Sequence, residues 1–271
     1  MRTIPNPVIL ITGGASGIGR LMALDFAGKG ATVVAWDINP SALASLASHA
    51  KDAGLNIQGV VCDVTQKGAI YQAAKQLVDK YGHLDILINN AGIVSGTRFL
   101  DTEDAKIEQT FAVNTLANFW TTKAFLPGMI ERKTGHIVTI ASAAGIIGVT
   151  GLADYSASKF AAFGFHESLR MELRQLKSPV RTTIVCPFFI NTGLFDGVKT
   201  RFPLLLPILD QAKAAAKICQ AIRKGKKRLI MPWFNYSVWL LRLFPVGFFD
   251  ACANFFGINS SMDEFKGRKH G

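Results

Sequence analysis

Tyr155 and Lys159 stand four residues apart in the run Tyr155-Ser156-Ala157-Ser158-Lys159. On a helix this spacing places the phenol and the ammonium on one face, where both can serve one site. A free tyrosine keeps its proton up to a pKa near ~10, and a neighbouring cation favours the phenolate. The pair therefore reads as proton-transfer chemistry, although Tyr-xxx-Lys also occurs on ordinary solvated helices. Two further residues give it company. Ser142 lies thirteen positions upstream, and Asn114 falls inside a long helical stretch, where an asparagine is uncommon unless its amide is used. His136 and His166 are read as structural histidines.

Short β-branched runs alternate with helical stretches, the pattern of a parallel sheet with crossover helices. Strands are expected over 8–12, 31–36, 56–61, 84–88, 136–141, 180–186 and 228–231, and helices over 17–29, 40–53, 66–81, 103–131, 155–176 and 211–224. The sequence shows no internal repeat and no low-complexity linker, so one doubly wound domain fits 271 residues better than two.

The first strand ends in Thr12-Gly13-Gly14-Ala15-Ser16-Gly17-Ile18-Gly19, and a helix follows at once. Glycines let a pyrophosphate approach the backbone, and the helix N-terminus supplies N–H donors and a positive dipole end. Its place between the first strand and the first helix makes this run a dinucleotide site. Asp37 closes the second strand, where a carboxylate accepts the ribose hydroxyls of NAD and repels the 2′-phosphate of NADP. Between Arg20 and Asp37 the only cation is Lys29, well inside the helix, so NAD is expected. Asn39 is the better-placed cap for the helix that follows. Asp63 and Val64 end the third strand on the adenine side, and Asn90-Ala91-Gly92 forms a small-residue turn after the fourth.

A hydrophobic content of 49% excludes a disordered chain. Cys62, Cys186, Cys219 and Cys252 are scattered without metal-type spacing and read as buried, reduced thiols. No signal peptide or anchor is apparent before the first strand, which predicts a cytoplasmic protein that is not secreted. The net charge is +11. From Arg223 onward nine Lys/Arg face three acidic residues, so this stretch holds six of the eleven excess charges. No recognition motif accompanies them, and nucleic acid is not expected. The stretch 233–257 is rich in aromatics and leucine, but its longest uncharged part falls short of the ~20 apolar residues a bilayer span needs. It can lie in a membrane interface, cover a substrate cleft or form a subunit contact.

Taken together, TGxxxGxG, NNAG, a helical Asn, a Ser and YxxxK in this order resemble the short-chain dehydrogenase/reductase family over residues 6–231. The resemblance implies a single doubly wound Rossmann domain, a seven-stranded, mostly parallel sheet with helices on both faces, and here a hydrophobic helical extension at 232–271. It implies that Tyr155 is the general acid/base, that Lys159 lowers the tyrosine pKa and binds the nicotinamide ribose, that Ser142 holds the substrate oxygen and that Asn114 fixes a relay water. The implied cofactor contacts are Gly13, Ser16, Gly17, Ile18, Gly19, Asp37, Asp63, Val64, Asn90, Ala91, Gly92, Tyr155, Lys159, Pro187, Ile190 and Thr192. After Pro187 the family commonly has Gly where this chain has Phe188. Family habit also implies a homodimer or homotetramer through the 103–131 and 155–176 helices.

Segments such as Trp36-Asp37-Ile38-Asn39 and Ser261-Met262-Asp263-Glu264-Phe265 look like the branch of retinol and 17β-hydroxysteroid dehydrogenases of membranes and lipid droplets. An apolar lid at about 193–212 and a pocket of Ser142, Ala144, Ile147, Leu152, Phe188, Leu194 and Phe195 suit a lipophilic alcohol or its carbonyl. Two other readings stay open. One is an NADPH-dependent 3-oxoacyl thioester reductase, and the other a non-catalytic NAD-binding protein that docks on membranes.

Overall fold

A computed structural model describes residues 5–267 of the chain. Residues 1–4, and Arg268 and Lys269 of the basic tail, lie outside the described residues. Seven strands form one sheet: β1 (Val8–Thr12), β2 (Thr32–Asp37), β3 (Ile57–Val61), β4 (Ile86–Asn89), β5 (His136–Ile140), β6 (Arg181–Pro187) and β7 (Arg228–Met231). Their order is β3-β2-β1-β4-β5-β6-β7, and every pairing is parallel. The order reverses between β1 and β4, so a crevice opens beyond their carboxyl ends, where open α/β sheets bind ligands.

Strand β1 (VILIT) and strand β5 (HIVTI) are buried at every position, as expected of strands covered on both faces. Alternate side chains feed two cores. On one face Leu10, Val34, Leu87 and Ile137 meet α3 (Lys67–Tyr81), α5 (Ala117–Glu131) and α6 (Ala153–Gln175). On the other, Ile9, Ile11, Val138 and Val185 pack on α1 (Gly17–Ala27) and α7 (Gln211–Arg223). The period of two along each strand produces this division. Helix α2 (Pro40–Asp52) begins as expected, with the Asn39 side chain accepting the Ala42 N–H at 3.0 Å and proline in the first turn. Three cysteines are buried, whereas Cys252 is half-buried.

The expected helix 103–131 is not continuous. Helix α4 (Asp104–Phe111) gives way to one wide π turn, Ala112–Leu116, before α5 begins. There the Ala117 N–H reaches back five residues to the Ala112 carbonyl. The Asn118 side chain donates to the Asn114 carbonyl at 2.9 Å, satisfying a group in the widened turn.

The extension after β7 continues the fold. It forms a 3-10 turn at Trp233–Tyr236, then α8 (Ser237–Leu241) and α9 (Val246–Phe255). Arg242, which interrupts the apolar run in the sequence, donates twice to the Ile146 carbonyl, at 3.2 and 3.0 Å. Its guanidinium stacks on Phe160 and Phe249. The segment that follows crosses the loop after β6: Lys199 N–H donates to the Ser261 carbonyl, and Lys266 N–H to the Asp196 carbonyl.

Candidate active site

The glycine loop after β1 is shaped by its neighbour strand. Asn90 donates through its side chain to the carbonyls of Thr12 and Gly13, at 2.9 and 3.1 Å. The Thr12 hydroxyl accepts the N–H groups of Asn90 and Ala91. The β1 and β4 ends are thus latched together, and Asn90 acts as a brace for the loop. Gly13 sits at φ +62°, and a Cβ on Gly19 would lie 2.0 Å from the Gly13 carbonyl oxygen, so neither position tolerates a side chain. Helix α1 starts at this cradle. Ser16 makes no side-chain capping bond among the described residues, and the first turn carries no acid. Its N–H groups are left for an anion, which fits the pyrophosphate of a dinucleotide.

One cleft joins this cradle to the residues singled out for chemistry. It is lined by Gly13, Ser16, Gly17, Ile18, Gly19, Asn90, Ala91 and Gly92 on the loop side, and by Ser142, Tyr155 and Lys159 beyond them. Pro187, Phe188, Ile190, Thr192, Leu194 and Phe195 close it from the β6 side. Asp37, Asp63 and Val64 do not line this cleft. The Asp37 carboxylate accepts the N–H groups of Ala15 and Asn39, at 3.0 and 3.1 Å, and so tethers the glycine loop to the end of β2. Asp63 is turned onto its own chain, accepting the Thr65 N–H at 2.9 Å and the Thr65 hydroxyl at 2.8 Å.

Ser142 follows β5, its hydroxyl accepting the Ala144 N–H at 3.1 Å. Tyr155 lies in the first turn of α6 and packs edge-on against Phe195, with ring centroids 5.6 Å apart. Lys159, one turn on, is buried and donates to the Ile140 carbonyl at 3.1 Å. Its ammonium is 5.7 Å from the Tyr155 ring centroid. Asn114, on the π turn, accepts the Ile93 N–H and donates to the Ile93 carbonyl and the Ser158 hydroxyl, at 2.9, 3.0 and 3.0 Å. Ser158 in turn donates to the Tyr155 carbonyl. Asn114 thereby fastens the loop after β4 to the helix that carries Tyr155 and Lys159. Ser158 and Thr12 were not singled out from the sequence, although both stand inside its motifs.

Burial pushes the Tyr155 phenol up to about 12, and the Ser142 hydroxyl beside it works in the opposite sense. Burial also draws Lys159 down to about 8. The lowering of the tyrosine by Lys159 that the resemblance implies is opposed here by burial. The Lys159 ammonium is bonded to a backbone carbonyl, and the loss of water around both groups dominates.

Beyond Ser142 and Tyr155 an inner apolar chamber is lined by Ala144, Ile147, Val149, Leu152, Phe189 and Phe195. Ala144, Ile147 and Leu152, expected to touch substrate, lie here rather than in the main cleft. The extension also reaches this region: Ile258 lines the chamber, and Met262 and Phe265 pack in the same cluster as Tyr155. The two histidines stay away from the cleft. His136 Nε2 bonds the Thr183 hydroxyl at 2.7 Å and His166 Nδ1 the Thr139 hydroxyl at 2.9 Å.

A family model described as short chain dehydrogenase matches residues 7–201. The chain belongs to the short-chain dehydrogenase family. It is 46% identical over 271 residues to epidermal retinol dehydrogenase 2 of Homo sapiens, an alignment covering 99% of this chain and 88% of that protein. It is 39% identical over 270 residues to estradiol 17-beta-dehydrogenase 11 of Rattus norvegicus, covering 99% and 89%. Among solved structures it is similar to a short-chain dehydrogenase/reductase from Burkholderia phymatum in complex with NAD. That likeness has a TM-score of 0.81 at 26% identity and covers 90% of this chain and 95% of the other. A metagenomic short-chain oxidoreductase in complex with NADP gives a TM-score of 0.71 at 27% identity, covering 84% and 97%. As a short-chain dehydrogenase of the retinol and steroid dehydrogenase branch, the protein is an oxidoreductase of CH–OH groups that works with a nicotinamide cofactor.

Proposed function

We propose that this enzyme interconverts a lipophilic alcohol and its carbonyl with NAD, using Ser142, Tyr155, Lys159 and Asn114. The observation that carries the reading is the convergence of Ser142, Tyr155 and Lys159 between the glycine cradle and an apolar chamber. Bound nicotinamide supplies the hydride acceptor or donor. Tyr155 takes the hydroxyl proton of the alcohol during oxidation and returns it to the carbonyl oxygen during reduction. The Ser142 hydroxyl holds that oxygen against the phenol. Lys159 keeps a second exchangeable proton beside Tyr155, and Asn114 holds α6 and the loop after β4 in register around both.

NAD is favoured over NADP by Asp37, whose carboxylate is fixed by two N–H donors at the end of β2. A carboxylate there suits free ribose hydroxyls and repels a phosphate. The branch relatives named for retinol and estradiol support a lipophilic substrate, as does the density of phenylalanine around Tyr155.

The test is a panel of retinoid, steroid and fatty alcohols assayed with NAD and with NADP by absorbance of the reduced cofactor. Oxidation of lipophilic members with NAD is expected, together with loss of at least about a thousandfold in Tyr155→Phe at unchanged NAD binding. Turnover by Tyr155→Phe, or activity confined to small polar alcohols, would refute the reading.

A further inference from the structure

A second apolar cavity lies behind the inner chamber, between the extension and the end of β5. Its walls include Phe188, Leu206, Val238, Leu241, Phe249 and Ala253. Among the described lining residues the polar side chains are Ser237 and Asn235, and Asn235 is turned onto the Met231 carbonyl. The inner chamber at Tyr155 and this outer cavity share four residues, Ala143, Ile147, Phe188 and Ile258. Those four stand between the chamber and the cavity. Only one of them, Ile258, comes from the extension.

The chain delivers Ile258 to this shared wall by a defined turn. Helix α9 ends with Gly257 at φ +71°, whose N–H donates to the Asn254 carbonyl while the Ile258 N–H donates to the Ala253 carbonyl. These two bonds make a Schellman turn, and the apolar contact that accompanies it joins Ala253 and Ile258, both lining the outer cavity. A Cβ on Gly257 would also lie 2.7 Å from Arg201 Cβ, so only glycine lets the turn close against the loop after β6.

We propose that the outer cavity is a second compartment of the substrate site, taking the hydrocarbon tail of a long-chain substrate through a neck governed by Ile258. The proposal rests on the reading of the enzyme as a lipophilic-alcohol dehydrogenase. The polar head, the reacting C–OH, stays at Ser142 and Tyr155. A short alcohol occupies the inner chamber alone, while a long one passes between Ile147, Phe188 and Ile258 and leaves its tail among side chains of α8 and α9. Such a lining offers no hydrogen bonds, so selectivity there depends on length and girth.

The probe is a series of n-alkanols from butanol to dodecanol, assayed with NAD. In the wild-type enzyme kcat/KM should climb by roughly fourfold per methylene as the tail fills the outer cavity. Val238→Phe on α8 and Ala253→Phe on α9 each fill that cavity from a different element. Both should flatten the climb for the long alcohols, by at least tenfold at dodecanol, and leave butanol within about twofold of wild type. A wild-type profile that is level from butanol upward overturns the compartment, whatever the variants do. So does a parallel loss on butanol and dodecanol in both variants, or an unchanged slope in both. If no alcohol of the series or of the lipophilic panel is oxidised, the activity reading fails and this proposal with it. A level profile on an active enzyme removes the compartment alone.

Discussion

At the scale of single residues, burial sets the exchangeable protons of Tyr155 and Lys159 far apart. Burial raises the phenol to about 12 and lowers the ammonium to about 8, so the first proton leaves the pair near pH 8. Once it has gone, Lys159 is a neutral amine beside the Tyr155 phenol, and the two together hold one proton fewer. That singly protonated pair is the state able to accept a proton from an alcohol. The kcat/KM for oxidation should therefore rise with pH through about 8, and that for carbonyl reduction should fall over the same interval, since kcat/KM follows ionisation of the free enzyme. Parallel pH profiles in both directions measure this. Lys159→Arg, which cannot lose its proton, should remove the inflection near 8. If the inflection survives that change, it belongs to another group.

At the scale of elements, β5 and α6 carry a buried polar seam that the chemistry does not use. Thr139 on β5 bonds His166 on α6, and His136 bonds Thr183 on β6. Burial, with Arg170 and Arg228 nearby, holds His166 down to about 4, and burial with Arg181 and His166 holds His136 down to about 3. Both values lie below the ordinary 6.5, so on acidification the unfolded chain takes up protons before the folded one. The associated stability is complete above pH 6.5 and drains away towards pH 4 and below. For His166 the full effect is on the order of 3 kcal/mol. Denaturant melts should show His166→Asn, which can keep a bond to Thr139, losing less stability than wild type between pH 7 and 4.5. Equal losses would assign the acid sensitivity elsewhere.

The same elements show what could be read in advance. Strands β1, β2, β5 and β6 were legible because burial on both faces demands unbroken β-branched runs, and the cradle because glycine alone can occupy Gly13 and Gly19. The grouping of Ser142, Tyr155 and Lys159 was legible from helical spacing and strand ends. The π turn was not, since a five-residue hydrogen bond leaves no mark on apolar periodicity. Nor was the direction of Lys159, because spacing places a side chain on a face without naming its acceptor. The local turn at Asp63 was not legible either: Thr65 two residues later bonds one oxygen of its carboxylate.

At the scale of the whole molecule, the extension has two sides with different employment. Ile258 lines the chamber at Tyr155, Met262 packs in the same cluster as that tyrosine, and Val238 and Ala253 are buried farther out, so deleting 232–271 would dismantle the chamber and test nothing about lipid. The turn between α8 and α9 points the other way. Leu243 is 80% exposed and Val246 75%, with Phe244 and Phe248 also open to solvent and Trp233 78% exposed. Among the described residues no helix is long and apolar enough to cross a membrane. A short uncharged tip with aromatic neighbours, on a chain of net charge +11, instead suits insertion at the headgroup level of an anionic leaflet. We therefore expect the protein to float with phosphatidylcholine/phosphatidylserine vesicles, more weakly without phosphatidylserine and more weakly at high salt. The double change Leu243→Glu and Val246→Glu, which touches no wall of the site, should abolish flotation while leaving butanol oxidation within about twofold. Undiminished flotation of the double variant, or none by the wild type on any vesicle, would show that this tip has another use.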